Sequence, residues 1–362
     1  MKHCDVSVVI PVFNRASLLR WPLDSIAAQT LLPREVIVVD DLSAPAEAAI
    51  VRSLVAEFRS SLNVRLLVNE QNRGNSYSRN RAINEARGRY VAILDSDDIW
   101  LPEKLERQMC LVDAAKCRDG RPVLSATGTY RITPEGEILH RKLCQPRFDS
   151  VRIRQSNYIP TSSIVVDTAI AREIGGFAED MRVGSDWEFF IRLAGRVQFV
   201  PLPDALSAAV EHPGERLSQN NPKTLRAMLQ THRTHLRGVM HRCESASFCK
   251  KIASELQAHG RVRAAKKFYV RSFALKHPEG WRRRIMEGLF TVYFGVAAMP
   301  NLKEQRRNFY LRKPNQQRRD HRERAQWDRD QQTLKALVAC RPEGRLGRIF
   351  PSAVEGREEQ LA

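Results

Sequence analysis

The first two hundred residues alternate short, β-branched apolar runs with stretches whose apolar positions recur every three or four residues. "VSVVIPV" at residues 6–12 predicts a buried strand, and "SLLRWPLDSIAAQ" an amphipathic helix. The pattern then repeats. "EVIVVDD", "NVRLLV" and "YVAILD" read as strands, separated by the helical "EAAIVRSLVAEFR" and "SYSRNRAINEAR" and followed by "EKLERQMCLVDAAK". Strands alternating with helices predict an α/β domain with a mostly parallel central sheet covered on both faces. After about Pro213 the strand patterns stop and Arg/Lys-rich helical segments follow, among them "KTLRAMLQTHRTHLRGVMHR", "SFCKKIASELQAHG", "RVRAAKKFYVRSFALKH" and "WRRRIMEGLFTVYFGVAAM". The expected layout is an α/β domain over 1–213, a helical region over 214–300, and a basic tail, partly helical or disordered, over 301–362.

Ligands of open parallel sheets bind outside the carboxyl ends of the strands. "VIPVFN", "VVDDLS" and "AILDSDD" each end a predicted strand, so Asn14, Asp40, Asp41, Asp95, Asp97 and Asp98 are expected along one edge. Carboxylates crowded in "DSDD" repel one another unless a cation sits among them. A solvated acidic turn with Asp98 capping the next helix is the plain alternative. Three polar strand ends in one crevice favour a metal-and-phosphate site. The chain carries neither G-x-x-x-x-G-K-[ST] nor a G-x-G-x-x-G after the first strand, so a diphosphate would have to be neutralised by side chains and a divalent cation, Mg²⁺ or Mn²⁺. No G-x-S-x-G elbow is present either.

The formal net charge of +18 requires an acidic partner class: nucleic acid, anionic lipid or phosphorylated small molecules. Seven scattered cysteines without a C-x-x-C pair read as free thiols in a reducing cytoplasm. The N-terminus enters a strand pattern at once, without room for a signal peptide. "LFTVYFGVAAM" at 289–299 falls short of the roughly 18–20 residues a membrane span needs. A soluble or peripheral cytoplasmic protein is expected.

"VSVVIPVFNRASLLRWPLDSIAAQT", "EVIVVDDLS", "NRGNSYSRNRAINEARGRYVAILDSDD", "IPTSSIVVDTAIAREIGGF" and "SDWEFFIRLAG" together resemble the inverting family 2 glycosyltransferases of GT-A fold, of the bacterial polysaccharide type, over about residues 5–213. The resemblance implies roles. Asp41 would accept the uracil N–H of a UDP-sugar, Pro11 would pass near the base, and Asn14, Arg79 and Asp95 would line the nucleotide, Asp95 near the ribose. Asp40 can instead be a turn acid that receives backbone N–H groups, and Arg79 can instead pair with Glu85 or Asp95. Asp97 matches the metal-binding acid, with Asp98 and His212 as further contacts. Asp186 matches the catalytic base. Glu188, two residues on along a helix, points elsewhere. Thr161, Ser162 and the Gly175–Gly176–Phe177 run match the acceptor pocket, and Trp187 is either an acceptor platform or a core aromatic. Ser185 and Leu42 depart from the family pattern, standing where many relatives have an acid and a glycine. The absence of Q-x-x-R-W disfavours a processive synthase.

The expected activity is therefore metal-dependent transfer of one sugar from a nucleotide sugar, UDP-linked, to a glycan, lipid-linked or other hydroxyl acceptor. The alternatives are a nucleotidyltransferase acting on sugar phosphates and a non-catalytic basic binding protein. Residues 303–348 carry 14 basic and 6 acidic side chains, which fits peripheral contact with an anionic membrane on its inner face, or a helical cap with its basic side in water. No specific nucleic acid is expected.

Overall fold

The computed structural model describes residues 3–147, 150–211, 222–236, 240, 242–258, 260–275 and 321–339. β1 (His3–Val12), α1 (Ala16–Ala27), β2 (Leu32–Asp40), α2 (Pro45–Phe58), β3 (Val64–Val68), α3 (Asn75–Glu85) and β4 (Tyr90–Ile93) follow the alternation the sequence predicts. β1 pairs in parallel with both β2 and β4, and β2 with β3. The register sets Val12 beside Asp40 and Asp40 beside Val68, so these strands end at one level. A three-residue strand, β5 (Asp98–Trp100), then precedes α4 (Lys104–Asp119), which closes on Gly120 in the left-handed conformation.

The second half of the sheet is mixed. β6 (Val123–Ile132), β7 (Ile138–Lys142), α5 (Ser150–Gln155), a 3-10 turn at Thr161–Ser163, β8 (Val165–Asp167), α6 (Thr168–Glu173), α7 (Ser185–Leu193) and β9 (Gln198–Val210) complete an order of β3-β2-β1-β4-β8-β6-β9-β5, with β7 on β6. α8 (Pro222–Thr231), a π-helical turn at His232–Leu236, α9 (Arg242–Ala258), α10 (Val262–Ala274) and α11 (His321–Ala339) follow.

Alternation along the strands divides the core between two faces. Val6, Val8, Ile10, Val36 and Val38 pack with Leu19, Leu23, Val51, Leu105 and Met109 from α1, α2 and α4. Val9, Ile37 and Val39 share the opposite cluster with Ile83, Phe189, Phe190, Phe248 and Ile252, so α9 adds to the same core as the sheet. A third cluster joins Ile99 and Leu101 to Leu202, Leu206 and Val210 and to Leu334, Leu337 and Val338 of α11. The Tyr130 hydroxyl donates to Asp330 at 2.5 Å, and Gln331 Oε1 accepts the Ile138 N–H at 2.9 Å. The apolar stretch at 289–299 and the greater part of 303–348 lie outside the described residues. Among the described residues no helix is long and apolar enough to cross a membrane.

Leu42 has φ +60°, which is why a glycine suits this place in the pattern. An L side chain there costs about 1–2 kcal/mol, whereas glycine costs about 0.5–1 kcal/mol in unfolded-chain entropy. Leu42 is 47% exposed, so little packing is lost on its removal. Leu42→Gly is expected to hold or raise stability, by up to about 1 kcal/mol, and the β-branched Leu42→Val to lower it. Urea unfolding of the two variants checks this, and a clear loss in the glycine variant counts against it.

Candidate active site

The carboxyl ends of β1, β2 and β4 bring the predicted acids to one edge, where each is held by a different device. Asp40 and Asp41 are both buried. Asp40 Oδ1 accepts the Ser43 N–H at 2.9 Å. Asp41 Oδ1 accepts from Asn69 Nδ2 at 2.7 Å and from the Arg73 N–H at 3.0 Å, and its Oδ2 from the Gly74 N–H at 2.7 Å. Those amides open α3, so the helix dipole also favours a negative charge there. Asp41 Oδ2 keeps a lone pair for a further donor. Asn14, at φ +48°, ties two loops together: its N–H donates to Ser43 Oγ and its side-chain carbonyl accepts the Ala44 N–H. Pro11 is buried within β1 beside Val39.

The "DSDD" acids are also compensated. Arg79 Nη2 donates to Asp95 Oδ1 at 2.5 Å, realising the ion pair that sequence left open, while Arg65 takes Glu85. The Arg79 guanidinium lies over the Phe177 ring, 5.1 Å from its centroid, and its buried Nε has no partner among the described residues. Arg15 Nη1 donates to Asp97 Oδ2 at 3.0 Å. Ser162 Oγ donates to Asp98 Oδ2 at 2.5 Å and accepts the Asp95 N–H at 3.2 Å.

Asp186 lies in the first turn of α7. Asn157 Nδ2 donates to its Oδ2 at 2.6 Å, and Thr161 Oγ1 to the same oxygen at 3.3 Å. Glu188 points away, as its helical spacing predicts. It is buried against Arg192, with contacts of 2.5 and 2.6 Å, and against His235 at 2.7 Å. Arg192 also donates to the carbonyls of Ile174 and Gly176. The "RN" and "GGF" motifs meet directly, since Asn80 both donates to the Phe177 carbonyl at 2.8 Å and accepts its N–H at 2.7 Å.

Two acceptor-side expectations need correction. Trp187 is 4% exposed, with its indole N–H on the Ile153 carbonyl and its ring packed near Phe248, so it is a core aromatic and not a sugar platform. Ser162 is buried, and its hydroxyl is committed to Asp98 and Asp95. Its contacts are with the strand-end acids. Arg15 and Asn157 were not singled out from sequence. Arg15 was findable, because it follows Asn14 in a strand-end loop facing acids. Asn157 had no such signal, because its contact lies 29 residues away. His212 lies outside the described residues.

Among the described residues no three His, Cys, Asp or Glu side chains gather as a metal cage. The donor set still fits a divalent cation. Mg²⁺-type ions are commonly held by one or two carboxylates, with substrate phosphates completing the shell, and Asp97 and Asp98 supply such hard oxygens.

The family model for glycosyl transferase family 2 matches residues 7–169. The succinoglycan biosynthesis protein ExoO of Rhizobium meliloti is 33% identical over 191 residues, 51% of this chain and 53% of that protein. The chain thus spans about half of ExoO's length. YwdF, an uncharacterized glycosyltransferase of Bacillus subtilis, is 30% identical over 211 residues, 56% of this chain and 74% of its own. The crystal structure of S. aureus TarS 1-349 superposes with a TM-score of 0.55 at 19% identity, covering 96% of this chain and 93% of that one. The GT-A fold expected from the motifs is borne out.

Behind the turn that carries Ser162 lies an unusual support. Trp100 Nε1 donates to the Ser162 carbonyl at 2.6 Å, and Gln108 Nε2 to the Ser163 carbonyl at 3.1 Å. Lys104 is wholly buried between them, its Nζ on Gln108 Oε1 at 2.7 Å and 4.0 Å from the Trp100 ring centroid. Burial pulls its pKa down to about 7. The unfolded chain therefore binds a proton that the folded chain does not between about pH 7 and 10.5, and this lysine makes stability rise with pH across that window. Lys104→Met is expected to be more stable than wild type, most at and below pH 7, with the gap closing towards pH 10.5. Denaturant unfolding at pH 6.5, 8 and 9.5 reads the gap, and a pH-independent difference would contradict this account.

Proposed function

Because the chain belongs to glycosyl transferase family 2, we propose that it is a metal-dependent, inverting glycosyltransferase that moves one sugar from a UDP-sugar to a hydroxyl acceptor. The observation that supports the reading is that one half-buried carboxylate, Asp186, is linked to the compensated strand-end acids through adjacent residues, Thr161 contacting Asp186 and Ser162 contacting Asp98. An inverting transfer needs that arrangement: a base removes the acceptor hydroxyl proton on the face opposite the departing diphosphate.

In this reading Asp41 accepts the imide N–H of uracil through its remaining lone pair, and Asp95 with Arg79 lines the ribose side. Asp97 and Asp98 would hold the cation, which would supply positive charge to offset that on a leaving diphosphate. Asp186 Oδ1, which accepts no hydrogen bond among the described residues, takes the acceptor proton as the oxygen attacks the anomeric carbon. Thr161 borders the acceptor side through its contact with the same carboxylate. ExoO's role in succinoglycan biosynthesis supports a glycan or lipid-linked acceptor in cell-surface polysaccharide synthesis. The +18 charge suits work in the cytoplasm at an anionic inner membrane face.

A nucleotidyltransferase would also use acids around Mg²⁺, but it needs no base held opposite the donor. Thermal unfolding with UDP, GDP, CDP and dTDP, each with and without Mn²⁺, separates the readings. A ligand at 100 times its Kd adds about 2.7 kcal/mol to the folded state. UDP with Mn²⁺ is expected to raise the Tm of wild type and of Asp186→Asn but not of Asp97→Asn. Asp186→Asn should lose turnover by roughly 100-fold or more, in line with the loss of a general base. Near-full activity in that variant would favour nucleotidyl transfer.

A further inference from the structure

Seven consecutive positions, 157–163, touch both halves of the crevice. Ser162 reaches Asp98 and Asp95 on the donor side, and Asn157 and Thr161 reach Asp186 on the other. The backbone of this stretch is pinned from behind by Trp100 and Gln108. One short piece of chain, partly buried, therefore contacts both the strand-end acids and the base.

We propose that Asn157 is a positioning residue for the base: its amide fixes which oxygen of Asp186 is presented to the acceptor hydroxyl. Three observations support this. First, Asn157 cannot flip its amide without loss, because its Oδ1 accepts the Ile159 N–H at 3.0 Å and so directs Nδ2 towards Asp186. Second, both donors converge on Asp186 Oδ2, and Oδ1 accepts no hydrogen bond among the described residues. Third, the neighbouring acid of the helix, Glu188, is fully engaged by Arg192 and His235 and offers no substitute base. Among the described residues Lys251 of α9 also feels Asp186; it sits over Trp187 with its Nζ 5.3 Å from the ring centroid. A lysine there supplies charge but does not choose between the two carboxylate oxygens.

The inference rests on the glycosyltransfer reading, with Asp186 as base. Its test uses the full chain with Mn²⁺ and UDP-glucose, UDP-N-acetylglucosamine or GDP-mannose, following nucleotide release with water as acceptor and Asp186→Asn as the floor. Asn157→Ala is expected to slow release by roughly 10- to 100-fold, the usual effect of a misplaced catalytic group. Donor KM and the UDP-dependent Tm shift should stay at wild-type values. Asn157→Asp gives the sharper readout. Its Oδ1 can still hold Ile159, and when protonated it can donate to Asp186 as the amide does; once both carboxylates are charged they repel and the contact is lost. The ratio of Asn157→Asp to wild-type rate should therefore fall by at least about tenfold from pH 5.5 to 8. A merely structural asparagine would give a pH-independent ratio. Wild-type turnover with Asn157→Ala within twofold of it, or a flat ratio for Asn157→Asp, overturns the positioning role and leaves the glycosyltransfer reading intact. If wild type releases nucleotide from none of the three donors, the parent reading falls and this inference falls with it.

Discussion

Crowding several carboxylates at one edge of a buried sheet is possible only if each negative charge is answered locally, and this constraint organises the molecule. Water cannot screen the groups well at such a site, so the protein supplies the compensation. Asp41 receives the opening amides of a helix, Asp95 and Asp97 each receive a guanidinium, and Asp98 receives a hydroxyl. The answering groups come from β1–α1, α3 and the turn before β8, elements widely separated in sequence. Holding the acids in place therefore requires most of the sheet to be assembled.

The same economy explains why two motifs with no shared chemistry belong together. Asn80 and Phe177 exchange two hydrogen bonds, and the Phe177 ring also carries the Arg79 guanidinium. A Cβ on Gly176 would lie 2.1 Å from Asn80 Oδ1. The segment of α3 that carries the arginine steadying Asp95 thus packs against Gly176, about a hundred residues further along. Neither motif can drift without disturbing the other.

How far sequence foresaw this structure follows from the kind of signal each part sends. The parallel strands β1 to β4 and the helices between them were legible because runs such as "VSVVIPV" and "EVIVVDD" are long, β-branched and bounded by polar turns. Strands of three residues, β5 and β8, have no periodicity to read. The convergence of Asp41, Asp95 and Asp97 was legible too, because strand ends in a parallel sheet share one edge. The commitments of Ser162 and Asn157 were not, since they depend on how a turn folds back across the crevice. Trp187 shows the remaining limit: an aromatic beside a base reads equally well as platform or core, and only packing against Phe248 and Ile153 decides.

The third core has a bearing on when the protein becomes competent during synthesis. Ile99 lies within the strand that begins with Asp98 and Leu101 follows it, yet their partners come from β9 and from Leu334, Leu337 and Val338 of α11, more than 230 residues downstream. Contacts so distant along the chain form late, because a long loop must close before they are rewarded. A ribosome-bound chain can complete β1 to β4 early and still lack the apolar backing that seats its last acid. The edge that carries the acids is then backed only once α11 has emerged, which makes its completion wait on a segment more than 200 residues after the strand ends.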